Sequence, residues 1–275
     1  MTGRTPLSGL ARLLPIPPAG QSWTPVRTGE SGDLVYRRSD GVAYAKIAAG
    51  ANAGLLDGER RRTEWLATFS LGSPTVLDWI ATGDGACLVT SAVPGVPASD
   101  LAPADLIRAW PSIAQMLASL HELPSETCPF ERTLSTMIDL ASDVVARGAV
   151  NPAFLAPEDE QTPSTTLLAR LREELPLRLA QEPRDLVVCH GDPCLPNLLV
   201  DPQTLRCTGM IDLGRLGKAD RYADLSLLLA NARETWSSPE EMSTAETILF
   251  DILAIPAPDR DRLAFYLRLD PLTWG

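Results

Sequence analysis

The 275 residues include 45% hydrophobic and 21% charged side chains, enough apolar material for a large packed core and too much for a disordered chain. A net charge of −11 excludes the basic footprint that nucleic acid needs, and suits either plain solubility or a cationic partner. No apolar run is long enough to span a bilayer, and the odd count of five cysteines behind no secretory signal leads us to expect a reduced, cytoplasmic protein.

Residues 1–25 are rich in Pro and Gly and read as an irregular lead-in. "DLVYRR" and "AYAKIA" alternate like strands around a turn at Ser39, Asp40 and Gly41. Residues 55–69 carry a helical pattern, followed by the strand-like "PTVLDWIAT" and "ACLVTSA". "VPGVPASD" is a Pro/Gly connector and the best boundary in the chain. Beyond it the pattern turns helical. "DLIRAW" and "PSIAQMLASLHEL" read as two helices, with Pro111 at the first position of the second. Further helices are expected over about 133–147, 165–181 and 222–269. Three short strands, "DLVVC", "LLV" and "CTGMID", interrupt them. The predicted plan is α+β and bilobal: a β-rich lobe over 1–92 with one helix, a hinge over 93–100, and a mainly helical lobe over 101–275.

Within this plan "CHGDPCLPNLLVD" places Asp192 and Asn197 in a loop between two short strands, and "MIDLG" ends the next strand on Asp212. Phosphoryl transfer needs this set: one carboxylate to orient the attacking hydroxyl, and an amide oxygen and a second carboxylate to hold Mg²⁺. The alternative is a polar loop with Asx turns. Cys189, His190 and Cys194 lack the spacing of a zinc site.

Only two of the 24 basic residues are Lys, and one of them, Lys46, lies mid-strand. An ammonium there suits nucleotide phosphates and a carboxylate partner; otherwise it points to solvent from an edge strand. At about 100° per residue Leu55, Glu59 and Leu66 fall within about 40° of one another, whereas Glu64 lies about 180° from Leu55. Glu59 is therefore the expected partner of Lys46. "TGESGD" at 28–33 offers a short turn for phosphates. His121 reads as a helix-end residue and His190 as an organiser of the loop through its ring N–H groups. Asp220 and Asp224 read as supports.

These residues, with "SAVPGVPASDL", "CPFERTLS", "IDLGRLGKADRYADL" and "FYLRLDPLTWG", resemble the aminoglycoside phosphotransferases of protein-kinase-like fold, and within them the streptomycin 3''-phosphotransferase branch. The resemblance runs from about residue 22 to the last residue. It implies ATP and Mg²⁺, with Asp192 as the catalytic base and Asn197 and Asp212 as metal ligands. Lys46 and Glu59 would serve the nucleotide phosphates, Ser31 would lie above them, and Ser91 and Val93 would meet adenine. It further implies a cationic aminoglycoside held by Glu158, Asp159, Glu160 and Asp270, and inactivation of streptomycin. A monomer is expected. Gly191 and Leu213 replace the Arg and Phe of protein kinases, which suits a small-molecule kinase. Two alternatives stand beside this reading: a kinase for another aminoglycoside or for choline, and a silent nucleotide-binding regulator.

Overall fold

The computed structural model describes residues 10–26 and 34–275, and groups the chain into two compact units. Residues 1–94 and 208–214 form the first, and residues 95–207 and 215–275 the second. Ser31 and the turn at 28–33 lie outside the described residues.

The first unit is built on an antiparallel five-stranded sheet of order β1-β2-β3-β5-β4. Its strands are β1 (Trp23–Val26), β2 (Leu34–Arg38), β3 (Ala43–Ala49), β4 (Val76–Thr82) and β5 (Gly85–Ser91). The period-2 pattern of β3 sends Ala43, Ala45 and Ile47 to one face, where Leu10 and Leu13 of the lead-in cover them together with Cys87 and Val89. Ala48 faces the other side, against Leu88 and against Leu56 of helix α1 (Ala53–Leu66). The lead-in is thus half of a core, and its end pairs as β1 where an irregular segment was expected.

The α1 expectation needs one correction. Leu56, Thr63 and Leu66 are its buried residues, while Leu55 is 74% exposed. Adjacent leucines differ by about 100° around a helix, and packing on β3 and β5 selected the second. Glu59 keeps its inward place because it lies about 20° from Leu66 and about 60° from Leu56.

Segment 208–214 joins this unit by backbone contact: the Met210 amide donates to the Gly72 carbonyl at 2.9 Å. A Cβ on Gly72 would lie 2.1 Å from the Thr208 carbonyl oxygen, and its φ is +67°, so only glycine lets the two chains approach.

The second unit holds helices α2 (Pro103–His121), α3 (Leu134–Ala146), α4 (Ser164–Gln181), α5 (Arg221–Arg233), α6 (Pro239–Ile252) and α7 (Arg260–Leu269). Two short ladders accompany them. β6 (Val96–Pro97) pairs with β8 (Leu198–Asp201), and β7 (Leu186–Cys189) pairs with β10 (Gly217–Asp220). Strand β9 (Arg206–Met210) carries the chain from this unit into segment 208–214.

The two helices expected around Pro111 are one, α2, with the proline inside it. A proline there removes a helical hydrogen bond. The apolar face outweighs that loss: Leu106, Ala109, Trp110, Ile113, Ala114 and Leu117 are all buried. Trp110 also donates its indole N–H to the Ala245 carbonyl at 2.7 Å, which ties α2 to α6.

Candidate active site

In the first unit, β3 is the middle strand of the sheet, so Lys46 has neither an edge nor open solvent before it. It points to the α1 side, where Glu59 Oε2 accepts from its Nζ at 2.8 Å. Asp212 Oδ1 accepts from the same Nζ at 3.1 Å. Two carboxylates around one ammonium leave a net negative cluster, suited to a cation as well as to the Lys46 charge. Glu64, by contrast, pairs with Arg60 on the outer face of α1 at 2.7 Å.

Asp212 follows β9 with φ +60°, a left-handed conformation that costs a non-glycine residue energy. Its side chain stays 44% exposed, so its second oxygen is offered outward from a fixed backbone. At the end of β5 the Ser91 amide is engaged by the Thr75 carbonyl at 2.9 Å and the Ala92 amide by Val42 at 2.9 Å. Ser91 and Val93, the expected adenine contacts, lie at this end of β5.

In the second unit, the loop after β7 carries Asp192 and Asn197, and helix α5 holds it from beneath. Asp224 is fully buried and accepts from the His190 and Gly191 amides, each at 2.8 Å, and from His121 Nε2 at 3.1 Å. Burial opposes ionisation of Asp224, yet the His121 hydrogen bond, nearby positive charge and the Gly191 amide hold its carboxyl below the usual range. At the far side of the loop, Asn231 of α5 accepts from the Leu195 amide at 2.7 Å. Gly191 has φ +83°, and a Cβ on it would lie 2.3 Å from the Arg215 carbonyl oxygen. No arginine fits there, which explains the departure from protein kinases noted in the sequence.

His190 is fully buried, and its Nδ1 accepts from the Asp192 amide at 3.2 Å. Its Nδ1 therefore steadies this amide as an acceptor. Asn197 Nδ2 donates to the Asp192 carbonyl at 3.0 Å. A carbonyl only accepts, so the amide orientation is fixed and Oδ1 faces away as a hard oxygen of the kind Mg²⁺ takes. His121, Cys189 and Asp224 also bring donor atoms within 4.8 Å of one another. Burial keeps the Cys189 thiol protonated, and loop amides take both Asp224 oxygens, so the group is a brace.

Of the four expected acceptor carboxylates, Glu158 and Glu160 are exposed, and Asp159 pairs with Arg170 at 3.3 Å. Asp270 is buried and lies at the centre of a knot. Its Oδ1 forms an ion pair with Arg215 at 3.1 Å and accepts from Arg132 at 3.4 Å, and its Oδ2 accepts from the Trp274 indole at 3.0 Å. Two guanidinium groups thus share one carboxylate. Burial and the neighbouring Arg215 charge bring Arg132 down to about 10, still protonated at neutral pH. Sequence reading missed Asn231 and Arg132, because their partners lie 36 and 138 positions away. It also missed Trp274, whose indole bonds Asp270 only four positions back.

These geometries meet a matching family pattern. Residues 22–266 fit the model of the phosphotransferase enzyme family. The chain belongs to that family. Among its relatives, the streptomycin 3''-kinase of Streptomyces griseus is 53% identical over 256 residues, covering 93% of this chain and 94% of that one. The solved aminoglycoside phosphotransferase APH(3'')-Id of Streptomyces rimosus is 52% identical, with a TM-score of 0.87 over 92% of this chain and 93% of that chain. The same protein in complex with ADP and streptomycin gives a TM-score of 0.86 at 50% identity, with the same coverage. An aminoglycoside 3'-phosphotransferase of Streptomyces fradiae stands further off, 39% identical over 260 residues, covering 90% of this chain and 94% of that one. The phosphotransferase fold is thereby that of kinase-like aminoglycoside-modifying enzymes. No helix among the described residues is long and apolar enough to cross a membrane.

Proposed function

We propose that this phosphotransferase transfers the γ-phosphate of ATP to the 3''-hydroxyl of streptomycin and so inactivates the drug. One observation carries the reading: 53% identity with a streptomycin 3''-kinase across 93% of the chain, against 39% with a 3'-phosphotransferase.

In this reading Asp192 accepts a hydrogen bond from the attacking hydroxyl and takes its proton, while His190 and Asn197 steady its backbone. Asn197 Oδ1 and Asp212 would hold magnesium, which when bound neutralises charge on the phosphate oxygens. Lys46 grips the nucleotide phosphates and Glu59 fixes its ammonium. The Ser91 carbonyl and the Val93 peptide take the adenine edge, and Ser31 belongs to the phosphate turn. Glu158, Asp159 and Glu160 draw in the cationic drug, in keeping with the charge of −11. Asp270 acts behind them by holding the chain end in place. We further propose that the enzyme is a cytoplasmic monomer.

ADP release by the purified protein with ATP and Mg²⁺ tests the assignment, using streptomycin, kanamycin, spectinomycin and choline as acceptors. Turnover with streptomycin alone among the four is expected. Turnover confined to another acceptor would keep the kinase and remove the drug assignment.

A further inference from the structure

The acceptor groups named so far are carboxylates, yet the knot around Asp270 also carries two aromatic rings. The Arg215 guanidinium lies 4.2 Å over the Trp274 ring, so this ring already binds a planar cation. Phe154 meets Trp274 edge-on, with centroids 6.1 Å apart and planes tilted 63°. Phe154 is 37% exposed and Trp274 partly so, which leaves ring surface for a second cation.

The Trp274 ring is held before any ligand arrives. Asp270 accepts from the Trp274 indole at 3.0 Å, and Arg147 donates to the Gly275 carbonyl at 3.2 Å. One arginine side chain separates Trp274 from the catalytic loop, because the Arg215 backbone packs directly on Gly191. The acidic run Glu158–Glu160 begins four positions after Phe154.

We propose that Phe154 and Trp274 form an aromatic seat for a guanidinium group of the acceptor. The inference rests on the streptomycin reading and sharpens it. Guanidinium is planar and weakly hydrated, so it stacks on a ring where an ammonium keeps its water. The guanidinium groups of streptomycin sit on a different ring from the 3''-hydroxyl. A seat set back from Asp192 by one side chain is therefore where they are met. Carboxylates alone would attract any aminoglycoside; the rings select for the flat cation.

The test is steady-state kinetics on wild type, Phe154→Ala, Trp274→Leu and Trp274→Phe. Each is run with streptomycin and with an analogue whose guanidinium groups are replaced by neutral carbamates. Phe154→Ala and Trp274→Leu are expected to raise KM for streptomycin about 2- to 30-fold. Their kcat and their KM for ATP should not move, and Trp274→Phe should keep most of the affinity. With the analogue the variants should lose nothing beyond wild type. An unchanged KM for streptomycin, or equal losses on both acceptors, would overturn the seat alone. A wild type that phosphorylates another acceptor and leaves streptomycin untouched would overturn the parent reading, and the seat with it. Phe154 is an exposed residue at the end of a three-residue 3₁₀ helix, so its variant decides even if Trp274→Leu melts early.

Discussion

The two units hold their chemistry in different ways. In the first, Lys46 is fixed by direct side-chain pairing with Glu59 and Asp212, charge against charge at 2.8 and 3.1 Å. In the second, the Asp192 carboxylate is placed through its backbone: Asp224 and Asn231 hold the loop amides, and His190 and Asn197 hold the peptide groups of Asp192. The first arrangement tunes a charge and the second tunes a position. Under the proposed roles, damage to the first should weaken nucleotide binding, whereas damage to the second should misplace Asp192 or unfold its support.

The largest effect is expected at Asp192, the proposed base. Asp192→Ala should lower turnover by roughly 10²–10⁴ while calorimetry still finds ATP·Mg²⁺ bound. Undiminished turnover would remove Asp192 from its role.

Next comes the brace. Asp224→Asn sets an amide N–H against loop N–H groups in a dry site and should cost about 3–5 kcal/mol of unfolding free energy. Its pH dependence has a definite sign. The folded carboxyl sits below its ordinary value, so its stabilisation is complete above the unfolded Asp value of about 4. It is lost as pH falls through the folded value. Urea titrations at about pH 7 and about pH 3 should show the gap between wild type and variant closing at the acid end. A gap that widened there would contradict the buried anion.

The charge-held region should respond more mildly. Glu59→Gln removes one charge-assisted bond to Lys46 and should raise KM for ATP about tenfold, the equivalent of about 1.4 kcal/mol, with little change in melting temperature. A loss confined to the KM for streptomycin would reverse the division between the two units. Smallest of all is Glu64→Gln, five positions along the same helix. Its pair with Arg60 is an exposed i,i+4 contact, so the melting curve should move by no more than about 0.5 kcal/mol and the kinetics not at all.

The same contrast explains what the sequence could tell. Lys46 and Glu59 were legible because strand alternation and helix phase are local patterns. Even there the phase was anchored on Leu55 where packing chose Leu56. "HGDPCLPN" and "IDLG" stood out because loop chemistry is written in consecutive residues. The support beneath them was harder to see. Asn231 reaches Leu195 across 36 positions, and Arg132 reaches Asp270 across 138. Strand β10, "GKAD", has no β-pattern of its own and is made by pairing with β7. Pro111 read as a boundary because propensity is local, and burial of the α2 face overrode it.

The most direct test is the structure of the product. Streptomycin incubated with enzyme, ATP and Mg²⁺ is purified and its phosphate located by phosphorus–proton correlation NMR. The account predicts a single phosphomonoester coupled to the proton at the 3'' carbon. A phosphate at any other hydroxyl, or unmodified drug recovered beside active turnover of a different acceptor, would contradict it.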